Sequence, residues 1–515
     1  MPPAAAMPDR RPPVQAKARQ ALLIACVAAA FVIYAVAVLI LHQKQKDDFV
    51  QERSSIAAAV SNIYYGATLG SVHVGILDRM LDFDIPLEKT LAQAAKREIP
   101  PKGLLTTIYD GNGIGYIVVT TLSFRLLGPH TQSMVIVMLA LLAISAGAFL
   151  HRFRDQRAAV VLLYITSLIV MLYTPLVWHR PYELNMSIGA IRYFALIATL
   201  PAFHLLLEIA DTRTTLQWTD WRKMLPLALQ IPILILAVLV RNSAAPVIGA
   251  VMAGCLFLAW RWRRNFIERS RLLHKAIAMS AVAILFVGLL MLTVSSSYVR
   301  EGKFTEVVWH RIFLSIGTNP SWPFPGVREL YDCTRYIPEG MDHAMTDRNS
   351  HCVLWVYAMK HNIPPEIAST WTHGREHEKA LREAFFDIAY RYPLETLSAF
   401  VVYKPRYIVW SVWRDFEFKL FGIPPALPWL FAAALANLLL FSVAGPSLAA
   451  STALKSMAGI TVLLSVFGAL PHMLVWALPH TCGELVLYTF FAIGFAAVTA
   501  IQKTRDLASP APKSG

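Results

Sequence analysis

Asp110 opens a glycine-rich turn (Gly111, Gly113, Gly115) that runs into the apolar stretch ending Phe124-Arg125-Leu126-Leu127-Gly128. An acid at the mouth of a short apolar helix is costly in a membrane unless it faces water or a partner. There it could act as a general base, or hold a divalent cation against a departing phosphate. The plain alternative is a glycine-rich turn that starts a helix. Glu183, in Trp178–Ser187 (WHRPYELNMS), carries the same pair of readings, because acids also favour helix N-termini. Cations that could meet a phosphate are Lys102, Arg180 and Arg192, the last about a turn inside an apolar run. Arg192 could equally snorkel to an interface. His480 and Glu484 are spaced to share a helical face, which alone does not make a metal site.

These residues are set among apolar runs. Of 515 residues 56% are hydrophobic and 16% charged. Runs of this kind read as membrane-crossing helices, since about 20 residues span the hydrocarbon core. The expected fold is an all-α polytopic membrane protein with about 10–11 transmembrane helices and a large external loop domain. The net charge of +14 does not signal nucleic acid, because much of it sits in short loops beside apolar runs, where it sets orientation.

Residues 1–19 read as a disordered cytoplasmic tail, and Leu22–Leu41 as an uncleaved first span. Residues 20–295 form an N-terminal transmembrane module. Its first external loop, 43–112, is expected to make short helices on the membrane surface, with helical periodicity at Leu87–Ala95. Further apolar segments fall at 114–127, 131–150, 158–178, 188–209, 224–240, 244–260 and 276–295. The first of these is short for a crossing. If it only dips in, or lies at the interface, the basic stretches His151–Arg157 and Arg261–Lys275 both fall inside, as basic loops tend to. Ten spans plus one partial segment is therefore preferred over eleven.

Residues 296–425 then form an external domain, rich in tryptophan and in turn formers such as NPSWPFPG, with a helix expected at Glu376–Arg391 before Pro393. Lys404–Phe421 has the composition of an interfacial amphipathic helix. C-terminal helices occupy 426–501, with spans at 426–443, 457–477 and 485–501, and 502–515 is a cytoplasmic tail. Cys26 and Cys255 lie in apolar runs as packing residues. Cys333, Cys352 and Cys482 fall in external segments, where Cys333 and Cys352 could form a disulfide. With this topology Asp78, Lys102, Asp110, His179, Arg180, Glu183, Trp309, His310, His480 and Glu484 collect on one side.

There is no Walker loop, HExxH, GxSxG or dinucleotide fingerprint. The layout resembles the GT-C superfamily of membrane glycosyltransferases. The resemblance rests on the N-in first span, the acidic first loop leading into GIGYIVVTTLSFRLLG, the acid in PYEL, and the phrases Val308-Trp309-His310 and Tyr392-Pro393-Leu394. Asp82-Phe83-Asp84 has the spacing of that superfamily's acid pair, in different surroundings. The resemblance implies transfer of a sugar from a polyprenyl-phosphate carrier at the periplasmic face of a bacterial inner membrane. It implies an external carboxylate as base, a divalent cation as an optional cofactor, and Asp78 as the alternative acid to Asp110. A flippase of lipid-linked saccharide, or a polysaccharide polymerase or ligase, would use the same cationic groove.

Overall fold

Helix caps and buried polar contacts set the ends of elements whose centres the apolar runs mark. The computed structural model describes residues 13–44, 53–105, 113–153, 163–167, 186–211, 216, 219–240, 245–300, 308–322, 347–364, 375–409 and 452–474. The described chain is mostly helical. In order the elements are α1 (Pro13–Lys44), α2 (Arg53–Tyr65), β1 (Val72–His73), α3 (Val74–Met80), α4 (Leu87–Ala95), β2 (Leu104–Leu105), α5 (Ile114–Leu127), α6 (Thr131–Phe153), α7 (Met186–Ala210), α8 (Trp221–Val240), α9 (Ala245–Arg261), α10 (Phe266–Thr293), α11 (Ser296–Arg300), α12 (Val308–Ile316), α13 (Asp347–Lys360), α14 (Arg375–Arg391), α15 (Pro393–Ser398), a π-helical turn (Ala399–Tyr403) and α16 (Thr452–Leu474). Among the described residues three helices, α6, α8 and α10, are long and apolar enough to cross a membrane.

The main core joins α1, α2 and α5–α10. α5 packs closely on the end of α8 because Gly113 and Gly115 face it. A Cβ at Gly113 would lie 2.1 Å from the Leu239 carbonyl oxygen, and one at Gly115 would lie 2.5 Å from the Val240 nitrogen. The backbone N–H of Gly113 donates to Val240 O at 3.1 Å. The space beside these two glycines is thus taken up by the backbone of α8.

The segment between α1 and α5 departs from a set of surface helices. α2 is buried from Ser55 through Ser61 without interruption. Its run of alanines brings α3, α4 and α5 against it, so it acts as a core helix. The expected helix at Leu87–Ala95 is α4. Glu88 of α4 caps α6, accepting from the Thr131 N–H at 2.9 Å and from the Thr131 hydroxyl. Leu69 pairs with Val294 in a parallel bridge, and Ser295 N–H donates to Leu69 O at 2.9 Å.

α10 starts ten residues before the run expected at 276, because Asn265 caps it: its side chain accepts the Glu268 N–H at 3.3 Å. The stretch Arg261–Lys275, read as a loop, is therefore the end of α9, a tight turn, and the first turns of α10. Lys275 is not at a loop surface but buried within the bundle.

A second core gathers Phe313, Leu314, Ile316, Val353, Leu381, Ala384 and Ile388, with Trp309 and Trp322 against it. The helix expected at Glu376–Arg391 is α14, one residue longer, and Pro393 begins the next helix. Glu378 of α14 caps α12, accepting from the backbone N–H of Trp309 at 2.7 Å and of His310 at 3.1 Å. Lys404, fully buried, donates to Ser315 Oγ at 2.5 Å. The expected spans at 426–443 and 485–501, most of 158–178, and most of Lys404–Phe421 lie outside the described residues. Cys26 is buried and Cys255 half-buried, both as free thiols.

Candidate functional site

A cavity of about 450 Å³ opens between α3, α4 and the returning segment 98–102, lined by Gly75, Asp78, Arg79, Asp82, Gln93, Glu98, Ile99, Pro100 and Lys102. Its size suits a ligand rather than a single water. Three local devices shape it. A Cβ on Gly75 would lie 2.3 Å from the Pro100 carbonyl oxygen, so only glycine lets segment 100–102 lie against α3. Arg97 adopts φ 56°, a left-handed residue just past the end of α4 that turns the chain back. β1 and β2 then close the loop as an antiparallel pair, Val72 opposite Leu105 and His73 opposite Leu104. The His73 ring sits between two carbonyls, with Nδ1 3.2 Å from Gly103 O and Nε2 3.3 Å from Tyr65 O.

The floor is braced from beneath. The buried Arg53 guanidinium donates to Met80 O at 3.0 Å and Asp82 O at 2.9 Å, fixing the turn after α3. Arg79 donates to Asp82 Oδ2 and to Gln93 Oε1, each at 3.3 Å. Asp82 Oδ1 accepts the Asp84 N–H at 3.2 Å, so the Asp82-Phe83-Asp84 spacing makes an Asx turn. Both oxygens of Asp82 are thus engaged in holding the turn. Asp78, Glu98 and Lys102 are exposed and have no ion-pair partner among the described residues. The cavity therefore offers two uncommitted carboxylates and one uncommitted ammonium, beside an arginine held in place by its neighbours. Such a set can take a proton from a hydroxyl and neutralise an anionic group at the same time.

Of the residues singled out by sequence, Asp78 and Lys102 come together here. His310 does not line this cavity. It is buried on α12, its ring 5.5 Å from that of His377. Asp110, Arg180, Glu183, Cys333, His480 and Glu484 lie outside the described residues. Arg192 falls in α7 and Cys352 in α13, with their side chains outside the described part. Among the described residues no group of three or more His, Cys, Asp or Glu is placed to hold a metal ion.

Sequence reasoning missed Arg79, Gln93 and Glu98. It also missed a buried polar cluster at the far end of the bundle. There Arg152 donates to Glu208 from Nε at 2.7 Å and from Nη2 at 3.1 Å. Lys275 Nζ lies 3.3 Å from Glu208 Oε1, and Arg152 Nη2 lies 3.6 Å from Asp211 Oδ2. Farther in, Gln230 Nε2 donates to Ser145 O at 2.8 Å and its Oε1 accepts from Ser145 Oγ at 2.7 Å. That fixes the amide, so Gln230 donates to His204 Nδ1 at 3.3 Å and the ring proton sits on Nε2. The available signal was one acid, Glu208, standing near the end of an apolar run.

Comparison of the chain with protein-family models, with curated proteins and with solved structures finds no match.

Proposed function

We propose that this is a polytopic membrane glycosyltransferase that moves a sugar from a polyprenyl-phosphate carrier to an acceptor at the periplasmic face, with its N-terminus in the cytoplasm and residues 296–425 as an external domain. The observation that carries the reading is the cavity in the first loop, where Asp78 and Lys102 stand together without ion-pair partners. In this reading Asp78 accepts the proton of the attacking hydroxyl. Lys102, with Arg79 behind it, takes up charge on the carrier phosphate as the glycosidic bond breaks. Asp110 and Glu183 are the other acids of this reading, and a divalent cation its optional cofactor. Three apolar helices suited to crossing a membrane support the setting.

The test is transfer of radiolabelled sugar from a lipid-linked donor by purified protein. Asp78→Asn should lower transfer about 100-fold or more, the usual cost of losing a positioned base. Lys102→Gln should lower turnover more than donor binding, because its charge acts on the phosphate as the bond breaks. Near-normal transfer by folded Asp78→Asn would move the base to Asp110 or Glu183. Movement of intact lipid-linked saccharide across vesicles, without sugar transfer, would favour the flippase.

A further inference from the structure

The turn between α9 and α10 gathers exposed arginine and exposed aromatic surface in one place. Arg261, Arg263, Arg264 and Arg269 are exposed and have no ion-pair partner among the described residues. Within the turn itself the one acid is Glu268, and Asp220, before α8, is paired with Lys223. Beside them Trp260 is 61% exposed, with the Arg263 guanidinium 5.3 Å from its ring centroid. Phe266 is 84% and Ile267 62% exposed, directly after the turn. The start of α8, which reaches the same end of the bundle, repeats the pairing. Trp221 is 62% exposed, and Arg222 stands 5.8 Å from its ring centroid.

Large apolar side chains left bare among arginines are stable where hydrocarbon and water meet. Trp rings then lie at headgroup depth, and their polar edges stay wet. Arginine holds phosphate at two points through its planar fork, and stacking on tryptophan fixes that fork in place. The buried cluster of Arg152, Lys275, Glu208 and Asp211 lies just inside this end and pairs two cations with two carboxylates, so it leaves the surface arginines uncommitted.

We propose that the α9–α10 turn, with Trp221 and Arg222 at the same end of the bundle, is a docking site for anionic phospholipid headgroups of the adjoining leaflet. Arg263 and Arg264 hold the phosphate, while Trp260, Phe266 and Ile267 enter the acyl boundary. The proposal rests on α8 and α10 crossing a membrane, and is independent of sugar transfer.

The experiment is native mass spectrometry of the detergent-purified full chain, titrated with phosphatidylglycerol or phosphatidylcholine. The wild type should retain phosphatidylglycerol preferentially. Arg263→Gln/Arg264→Gln should reduce that preference about ten-fold, since each interfacial cation contributes a several-fold factor. Arg263→Lys/Arg264→Lys, which keeps the charge and hence the orientation but loses the planar fork, should retain only part of it. Arg125→Gln, at the other end of the bundle, should change nothing. Equal retention of both lipids by the wild type, or an unchanged preference in the Gln pair, overturns the proposal. A chain that stays soluble without detergent overturns both this site and the membrane reading beneath it.

Discussion

Arg152 and Glu208 meet through a two-point ion pair, Nε to Oε2 at 2.7 Å and Nη2 to Oε1 at 3.1 Å, with the glutamate side chain 1% exposed. Lys275 donates to the Glu208 and Asp211 carbonyl oxygens at 2.6 and 2.5 Å, so the pair ties α6, α7 and α10 together. Removing one member leaves a buried charge uncompensated, which outweighs the modest value of the pair itself. Glu208→Ala should therefore lower stability by about 3–5 kcal/mol. Glu208→Gln combined with Lys275→Met should recover part of that loss. Thermal unfolding in detergent measures both, and an unchanged midpoint for Glu208→Ala would show that the cluster is not structural.

The approach of α5 to α8 depends on having no side chain at Gly115, where a Cβ would lie 2.6 Å from the Leu239 carbonyl carbon and 2.8 Å from the Leu236 oxygen. Backbone cannot give way as a flexible side chain can. Gly115→Ala should cost about 1–3 kcal/mol or more, the range for overpacking. Gly147→Ala, in open space within α6, should be neutral or stabilising by about 0.5–1 kcal/mol. Folded yield by size-exclusion chromatography separates them, and equal yields would contradict the packing.

Asp220 precedes α8 with its carboxylate 2.9 Å from Lys223 Nζ. The Lys223 hydrogen bond, followed by its charge and the N–H groups of Lys223 and Arg222, holds the Asp220 carboxyl below its ordinary value. A depressed carboxylate adds stability that is present above its unfolded pKa and is lost as pH falls through the folded one. Asp220→Asn should then reduce the unfolding midpoint at pH 7 and have no effect in acid below that titration. A difference from wild type that stays constant across the acid range would remove Asp220 as the titrating group.

Orientation is tested with single cysteines in a cysteine-free background. Ser270→Cys, on the first turns of α10, should resist impermeant maleimide in intact cells, whereas Lys102→Cys at the cavity rim should react. Ready labelling of Ser270→Cys with protection of Lys102→Cys would invert the proposed topology.

The apolar runs were enough to place the centres of α5, α6, α8 and α9, because continuous apolar runs of 14 residues or more favour a helix over a strand. Leu87–Ala95 and Glu376–Arg391 were legible for a different reason, their helical periodicity and the proline that follows the second. Some ends were legible, as at Leu87–Ala95 and 114–127, and others were not. Asn265 moved the start of α10 outward through a single side-chain hydrogen bond that hydropathy does not register. α2 reads as a small, weakly polar helix, and its burial follows only from three neighbours arriving on its faces. The cavity was half legible. Asp78 and Lys102 stood out as charges in the first loop, but their meeting depends on Gly75 admitting segment 100–102 and on Arg97 turning the chain. Asp82 and Asp84 show the converse, since a spacing suggestive of chemistry became a turn once Arg79 and the Asp84 N–H claimed the carboxylate. Residue type and spacing determined which groups could react; which remained uncommitted was decided by close contacts between segments far apart in sequence.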